Sequence, residues 1–337
     1  MKTRSSLTIA FLFLFITPAF RAQSLPAAPT IPGMPPVPTS LEDRRKALAK
    51  VTHDYWEDVL KRSPELASAL GDTRYNDRLT NYTSGTYNDQ LAREQGYLMQ
   101  LAVIDLAGFT DSEKQQHESL VRRLEDDQKA ADSSPWQTPI TATTSFYAVY
   151  PQLAKVLSFT TDKDYDDWTT RLHLLPEVIA QTMQDMSLGV DEGRLPPKDV
   201  ANKALAEVTA LAHQKAEDSP FAAPLRKFPS SLSPAEQDRL KQNLVEAINK
   251  DALTSLMRLE RFLSASYVPA SGKGSAVAST RDVQMLATVL ELRAKAQQSL
   301  GPRFDQKAFR DQVMNAGLSP IDTLRQQIEA WIASNPK

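Results

Sequence analysis

Hydrophobic residues beyond residue 41 recur at the three- and four-residue spacing of amphipathic helices, and no stretch alternates like a β-strand. The clearest stripe follows Pro234 and contains Leu240, Leu244, Ile248, Ala252, Leu256, Leu259 and Leu263. An apolar stripe of this kind must pack on another part of the protein. The sequence therefore predicts an all-α, multi-helix globular domain.

The same pattern and the capping signals predict where most helices lie. Beyond the first helix they are expected at residues 88–106, 111–131, 164–189, 198–216, 234–267, 283–300 and 320–333. Pro176 lies inside one of these patterns and predicts a kink or a break. Residues 133–159 are rich in threonine, aromatic residues and proline, which favours irregular structure across a surface.

The stretch DYWEDVLKRSPELASALGDTRYNDRL, residues 54–79, is a helical pattern that is interrupted twice. Ser63 and Pro64 predict a new helix start, with serine as N-cap and proline at the first position. Gly71 predicts the end of that short helix. Beyond it lie four polar or aromatic residues, Arg74, Tyr75, Asp77 and Arg78. They either border a substrate cleft or form a surface turn with local ion pairs, which contribute little stability.

Two segments precede the helices. Residues 1–22 resemble a signal peptide, with a basic start, an apolar run at residues 7–16 and expected cleavage after Ala19 or Ala22. The apolar run is too short to span a bilayer, and an uncleaved anchor is the alternative. Residues 23–40 are proline-rich and predict an extended linker or a proline-rich recognition segment. We expect export to the periplasm or beyond, without membrane attachment after cleavage.

Composition excludes several classes of function. The net charge of -2 over 337 residues gives no general attraction to nucleic acid or to an anionic membrane. The absence of cysteine removes disulfides, thiolate zinc sites and cysteine nucleophiles. The hydrophobic share of 41% and the charged share of 24% are those of an ordinary globular protein.

No motif in the sequence meets the requirements of a metal site. The four histidines are far apart, at His53, His117, His173 and His213. HESLV at residues 117–121 begins like a zinc-binding helix, but Val121 stands where the second histidine is needed. DKDYDDW at residues 162–168 has the aspartate spacing of a calcium loop, but Asp167 replaces the glycine and His173 replaces the glutamate. An acidic first turn of a helix explains this run better.

Other catalytic signatures are also missing. GKGS at residues 272–275 lacks the leading glycine and the hydroxyl of a phosphate-binding loop, and there is no Gly-x-Ser-x-Gly elbow. Asn81 begins a glycosylation sequon, which matters only in a eukaryotic source. The residues alone therefore assign no catalytic or metal-binding residue, no cofactor and no ligand.

Several segments resemble the domain of unknown function 885 family, a group of uncharacterised exported bacterial proteins. The resemblance rests on residues 55–83, 164–200, 219–229 and 290–332, where YWEDVLKRSPELASALGDTRYNDRLTNYT is the most specific stretch. It covers most of the mature chain. Members of the family are much longer and carry a His-Glu-x-x-Pro-Gly-His motif, which resembles the helix of a zinc metallopeptidase.

That motif is absent from this sequence, and Arg310 stands where many relatives have histidine. The resemblance implies a helical domain at residues 41–270 and a C-terminal helical segment at residues 284–337. A flexible junction at residues 271–283 would replace the catalytic middle. These features predict an exported protein related to metallopeptidases but without activity. A peptidase or esterase with an unrecognised site is the alternative.

Loss of a middle segment would leave helix faces uncovered. The faces concerned contain Leu256, Leu259 and Leu263 after Pro234, and Ile321, Leu324, Ile328 and Trp331 near the C-terminus. Exposed apolar patches drive association. We therefore expect self-association, or binding of a protein partner, through these faces.

Overall fold

The computed structural model of the protein describes residues 37–142, 145–272 and 281–335. Helices α1 to α13 span Leu41–Arg62, Pro64–Ala69, Ser84–Ala102, Asp111–Ala130, Val149–Val156, Asp162–Asp191, Lys198–Ala212, Pro234–Ala247, Thr254–Phe262, Val268–Ala270, Arg281–Leu300, Gln306–Ala316 and Ile321–Ser334. Within these ranges there is no β-strand, only one isolated bridge between Ile140 and Ser145. The all-α prediction is confirmed. The expected signal peptide, most of the linker and most of the junction lie outside the described residues.

One hydrophobic core extends across the helices of the described ranges. The long helix α6 packs against α8 and α9, and α7 packs against α9. Helix α11 packs against α2, α5 and α13. The C-terminal helices therefore share their core with the helices that precede residue 270.

The helix faces that were expected to be uncovered are buried. Leu256, Leu259 and Leu263 are at most 2% exposed, and Leu324 and Ile328 are at most 1% exposed. Ile321 and Trp331 are partly buried against the same core. The expectation of exposed apolar faces was wrong because α6 and α7 cover α9, while α11 and α12 cover α13.

Two local predictions also differ from the structure. Helix α6 runs without a break through Pro176. The segment 133–159 is not a surface loop, because it contains helix α5 and because Phe146, Tyr147 and Leu153 are almost completely buried. Large aromatic and leucine side chains stabilise it from within, which its content of threonine and proline did not reveal.

Helices α8, α9 and α10 follow one another without a loop. Two π-helical turns, Ile248–Leu253 and Leu263–Tyr267, connect them. The apolar stripe predicted after Pro234 lies along this segment and is buried at every position from Leu240 to Leu263. In the described ranges, no helix is long and apolar enough to cross a membrane.

Candidate functional site

A cleft of about 760 Å³ opens between α3, α4 and the first turns of α11 and α13. The turn at Ser133–Pro139 closes one side, and Gln152 of α5 and Thr182 of α6 contribute to the lining. This volume is in the range of ligand-binding pockets, which usually measure about 300–1,000 Å³. The cleft is therefore the candidate functional site.

A network of ion pairs forms the floor of the cleft. Arg62 lies 2.7 Å from Asp58 and 3.1 Å from Asp282, and both partners are carboxylates. Arg123 lies 3.1 Å from Asp127 and 3.1 Å from Asp282. The first partner of each arginine is one helical turn away, in α1 and in α4, whereas Asp282 belongs to the first turn of α11. Asp282 thus joins two arginines from distant parts of the chain.

The carboxyl groups of this network differ in acidity. Burial raises the pKa of Asp282, but the charges of Arg62 and Arg123 outweigh it, so the net pKa is lowered. Burial raises the pKa of Asp127 more than Arg123 lowers it. Burial, helped by the negative charge of Asp127, raises the pKa of Glu94 to about 7. Glu94 is fully buried behind the cleft, at 3.6 Å from Arg62.

Aromatic side chains form the opposite wall. The rings of Tyr87 and Trp136 are tilted by 44°, with their centroids 4.7 Å apart, and both residues remain partly exposed. Tyr82 also lines the cleft and shares a hydroxyl hydrogen bond with Tyr150. Burial raises the pKa of both tyrosines, so their hydroxyl groups stay protonated at neutral pH.

Two further arginines lie near the mouth of the cleft. Arg325 makes a bidentate ion pair with Glu291, with N···O distances of 2.6 and 2.9 Å. Arg281 donates a hydrogen bond to the backbone carbonyl of Ser319. Burial lowers the pKa of Arg281, and the neighbouring Arg123 adds to this effect.

The histidines lie away from the cleft. His53 is exposed, and His117 Nε2 is 3.1 Å from the carbonyl oxygen of Leu101. His173 Nδ1 is 2.7 Å from an oxygen of Asp251, and His213 Nε2 is 2.8 Å from an oxygen of Glu260. Across the described residues, no group of three or more His, Asp or Glu side chains could hold a metal ion.

The acidic run at residues 162–168 starts α6, as the sequence indicated. Asp162 and Asp164 lie in the first turn, and Asp164 forms a capping box with Thr161. The backbone N–H groups of Thr160 and Thr161 donate to the Asp164 carboxylate at 2.9 and 2.8 Å. The run therefore stabilises a helix N-terminus.

The corner at residues 54–79 is a structural element beside the cleft. Arg74 pairs with Glu57 and Asp72 at the surface, and its guanidinium lies 5.3 Å from the centre of the Tyr75 ring. None of the four residues Arg74, Tyr75, Asp77 and Arg78 lines the cleft. In this chain the surface-turn interpretation therefore describes them.

The buried polar groups of this corner do affect the cleft. The carboxylate of Glu65 is fully buried and accepts hydrogen bonds from the backbone N–H and the hydroxyl of Thr80, at 3.0 and 2.5 Å. This contact fixes the start of the segment that carries Thr80 and Tyr82 into the cleft wall. Ser63 is the residue before Pro64, as predicted, but its side chain makes no capping hydrogen bond. Gly71 has a φ of 81°, which explains why glycine ends the short helix.

Sequence reasoning missed the residues of the ion-pair network. The signals in the sequence were the i,i+4 pairs Asp58 with Arg62 and Arg123 with Asp127. Such pairs are usual on solvated helix surfaces and do not by themselves indicate burial. Nothing local indicated that Asp282 would join them.

Comparison with known proteins gives a family and a fold. The family described as "Bacterial protein of unknown function (DUF885)" matches residues 64–280, well over half of the chain. No curated protein matches the chain. The crystal structure of "the putative lipoprotein from Colwellia psychrerythraea" is similar, with a TM-score of 0.61 and 14% sequence identity. The similarity covers 78% of this chain and 47% of that protein, so this chain spans about half of its length.

Proposed function

The chain belongs to the DUF885 family, and on this premise we propose that it is an exported binding protein without hydrolytic activity. Its ligand occupies the cleft between α3, α4, α11 and α13. One observation carries this proposal: the cleft is open and large, but the arginines of its floor are engaged in ion pairs with Asp58, Asp127 and Asp282. Such a floor is suited to binding and to rigidity.

The same premise includes a relation to zinc metallopeptidases. Relatives carry a His-Glu-x-x-Pro-Gly-His motif according to the resemblance described above, and this sequence has none. The catalytic segment would have been lost at the junction, residues 271–283, between the helical parts 41–270 and 284–337. The separate surroundings of the four histidines support the absence of a zinc site made by imidazoles.

Export is supported by two observations. Residues 1–22 have the charge and hydrophobicity pattern of a signal peptide. The similar protein from Colwellia psychrerythraea is described as a lipoprotein, a class that is anchored outside the cytoplasm. A periplasmic or secreted location follows from the proposal.

The test uses the mature protein purified without an affinity tag. We expect far less than one zinc per chain by elemental analysis, and no zinc-dependent release from a panel of peptide and ester substrates. A His213→Ala variant is a matched control, because His213 has a carboxylate neighbour but no second histidine. Stoichiometric zinc that is lost in this variant, or hydrolysis that a chelator abolishes, would overturn the proposal.

A hydrolase remains a second candidate because of one group. Asp127 lines the cleft and has a raised pKa, which suits a general acid. If the protein hydrolyses a substrate without metal, Asp127→Asn should lower kcat strongly, and Asp126→Asn, which changes the exposed neighbour, should leave kcat unchanged. Equal rates in both variants would exclude this candidate.

A further inference from the structure

We propose that the ligand of the cleft is a neutral oligosaccharide. This inference rests on the proposed binding function and deepens it. Three properties of the lining carry it: the balance of charge, the aromatic wall and the chemistry of the remaining polar groups.

The first property is the balance of charge. Four arginines and five acidic residues are among the described residues that line the cleft. Arg62 and Arg123 pair with Asp127 and Asp282, and Arg325 pairs with Glu291.

Three charged residues of the lining remain without an ion pair among the described residues: Arg281, Asp126 and Asp322. One cation and two anions leave no net positive field for an anionic ligand. A charged ligand would also have to give up hydration without a matched counter-charge, which is unfavourable. A neutral ligand avoids this cost.

The second property is the aromatic wall. Tyr87 and Trp136 are partly exposed to the cleft, and their adjacent rings form an extended apolar surface. A pyranose ring presents C–H groups on its two faces and hydroxyl groups at its edge. Its faces can therefore pack on aromatic rings while its edge stays available for hydrogen bonds.

The third property is the set of uncharged polar groups. These are amide and hydroxyl side chains at Thr80, Asn81, Thr83, Thr86, Gln90 and Gln152. Each of these groups can donate and accept hydrogen bonds, as a sugar hydroxyl does. A lining with groups of this type around an aromatic wall matches a ligand with many hydroxyl groups.

The test is direct binding to the mature protein by saturation-transfer NMR and calorimetry. The probes are maltotriose, raffinose and chitotriose, which are neutral trisaccharides, and trialanine as a tripeptide of similar length. We expect at least one trisaccharide to bind. Trp136→Ala should then weaken binding by about tenfold or more, which corresponds to about 1.4 kcal/mol. Trp136→Phe retains an aromatic face and should weaken it less.

Met257→Ala is the matched control, since Met257 is an exposed residue of α9 and does not line the cleft. Thermal unfolding shows whether each variant is folded, and Trp136→Phe keeps the test informative if Trp136→Ala is not. Binding of trialanine alone would overturn the sugar but retain a binding cleft. No binding of any probe at millimolar concentration would overturn both. Sugar binding that is insensitive to both Trp136 variants would place the ligand elsewhere and overturn the inference.

Discussion

Arg171 shows how one buried charge holds a chain segment in place. Its side chain is 1% exposed and donates to the carbonyls of Pro64, Tyr75 and Arg78, at 3.1, 3.0 and 2.9 Å, and to the hydroxyl of Ser68 at 2.7 Å. Burial lowers its pKa to about 10, so the guanidinium remains charged at neutral pH. Four acceptors of the corner at residues 64–79 therefore depend on one side chain.

Replacing Arg171 with methionine should destabilise the protein strongly. The side-chain volume is largely kept, but the buried carbonyls lose their donors, and each buried unsatisfied group costs about 1–3 kcal/mol. We expect a loss of about 3 kcal/mol or more in the free energy of unfolding, measured by urea denaturation. Arg239→Met is the control, because its ion pair with Asp166 is exposed and should contribute less than about 1 kcal/mol. Similar urea midpoints for the two variants would contradict the structural role of Arg171.

Glu94 makes stability depend on pH. Its pKa of about 7 in the fold is above the value of an unfolded glutamate, so the folded state binds more protons between these values. Stability is fully present below the unfolded pKa and is lost as the pH rises through about 7. Asp127 acts in the same direction. The facing charges are Arg62 and Asp58 of α1, Arg123 and Asp127 of α4, and Arg281 and Asp282 of α11.

We therefore predict that the urea midpoint of the wild-type protein falls between pH 5 and pH 8. Glu94→Gln keeps the shape and the neutral state, and should remove most of this fall. The difference at pH 8 should favour the variant by at most about 3 kcal/mol, since one pKa unit corresponds to about 1.4 kcal/mol. Glu118→Gln changes an exposed glutamate of the neighbouring helix α4 and serves as the control. A steeper fall in Glu94→Gln than in the wild type would refute this assignment.

At the residue scale, the sequence revealed local pairs but not their partners. The i,i+4 spacing of Asp58 and Arg62 is visible in the sequence, and so is that of Arg123 and Asp127. The contact of Arg62 with Asp282 joins positions 220 residues apart, and no local pattern encodes it. The floor of the cleft could not be predicted for this reason.

Helices were more predictable than single contacts because their signals are local. The apolar stripe after Pro234 and the helix starts at Thr110 and Ser233 follow from spacing and capping chemistry within a few residues. The π-helical turns within the long segment and the helix α5 were missed. Both are set by packing against α6, α7 and α11, which the local sequence does not contain.

The start of α8 provides a test at this scale. Ser233 and Glu236 form a capping box, in which the serine hydroxyl accepts from the Glu236 N–H at 3.3 Å and the glutamate accepts from the Ser233 N–H at 3.0 Å. Ser233→Ala should lower the free energy of unfolding by about 1 kcal/mol, as measured by urea denaturation. Ser264→Ala changes an exposed serine inside the following helical segment and should have a smaller effect. An unchanged midpoint in Ser233→Ala would show that the box adds nothing.

The molecule as a whole should be monomeric. The apolar faces that seemed to require a partner are covered within the chain, and the large hydrophobic residues exposed in the described ranges are few: Val37, Met99, Leu188 and Met257. Single exposed residues of this kind do not drive association. We expect light scattering to give the mass of one chain and calorimetry to give a single cooperative transition. A mass that rises with concentration would restore the prediction of self-association made from the sequence.

The contact between α2 and α11 also determines when the fold can be completed. Arg293 donates to the carbonyls of Ser68 and Ala69, at 3.1 and 2.7 Å, across separations of 225 and 224 residues. Contacts of such long range slow folding, since a large loop must close before they form. A chain emerges N-terminus first, at about 5–20 residues per second. The short helix α2 therefore waits for most of the chain to appear before its last carbonyls find their donor. During that interval its apolar side chains are open to chaperones and to proteases.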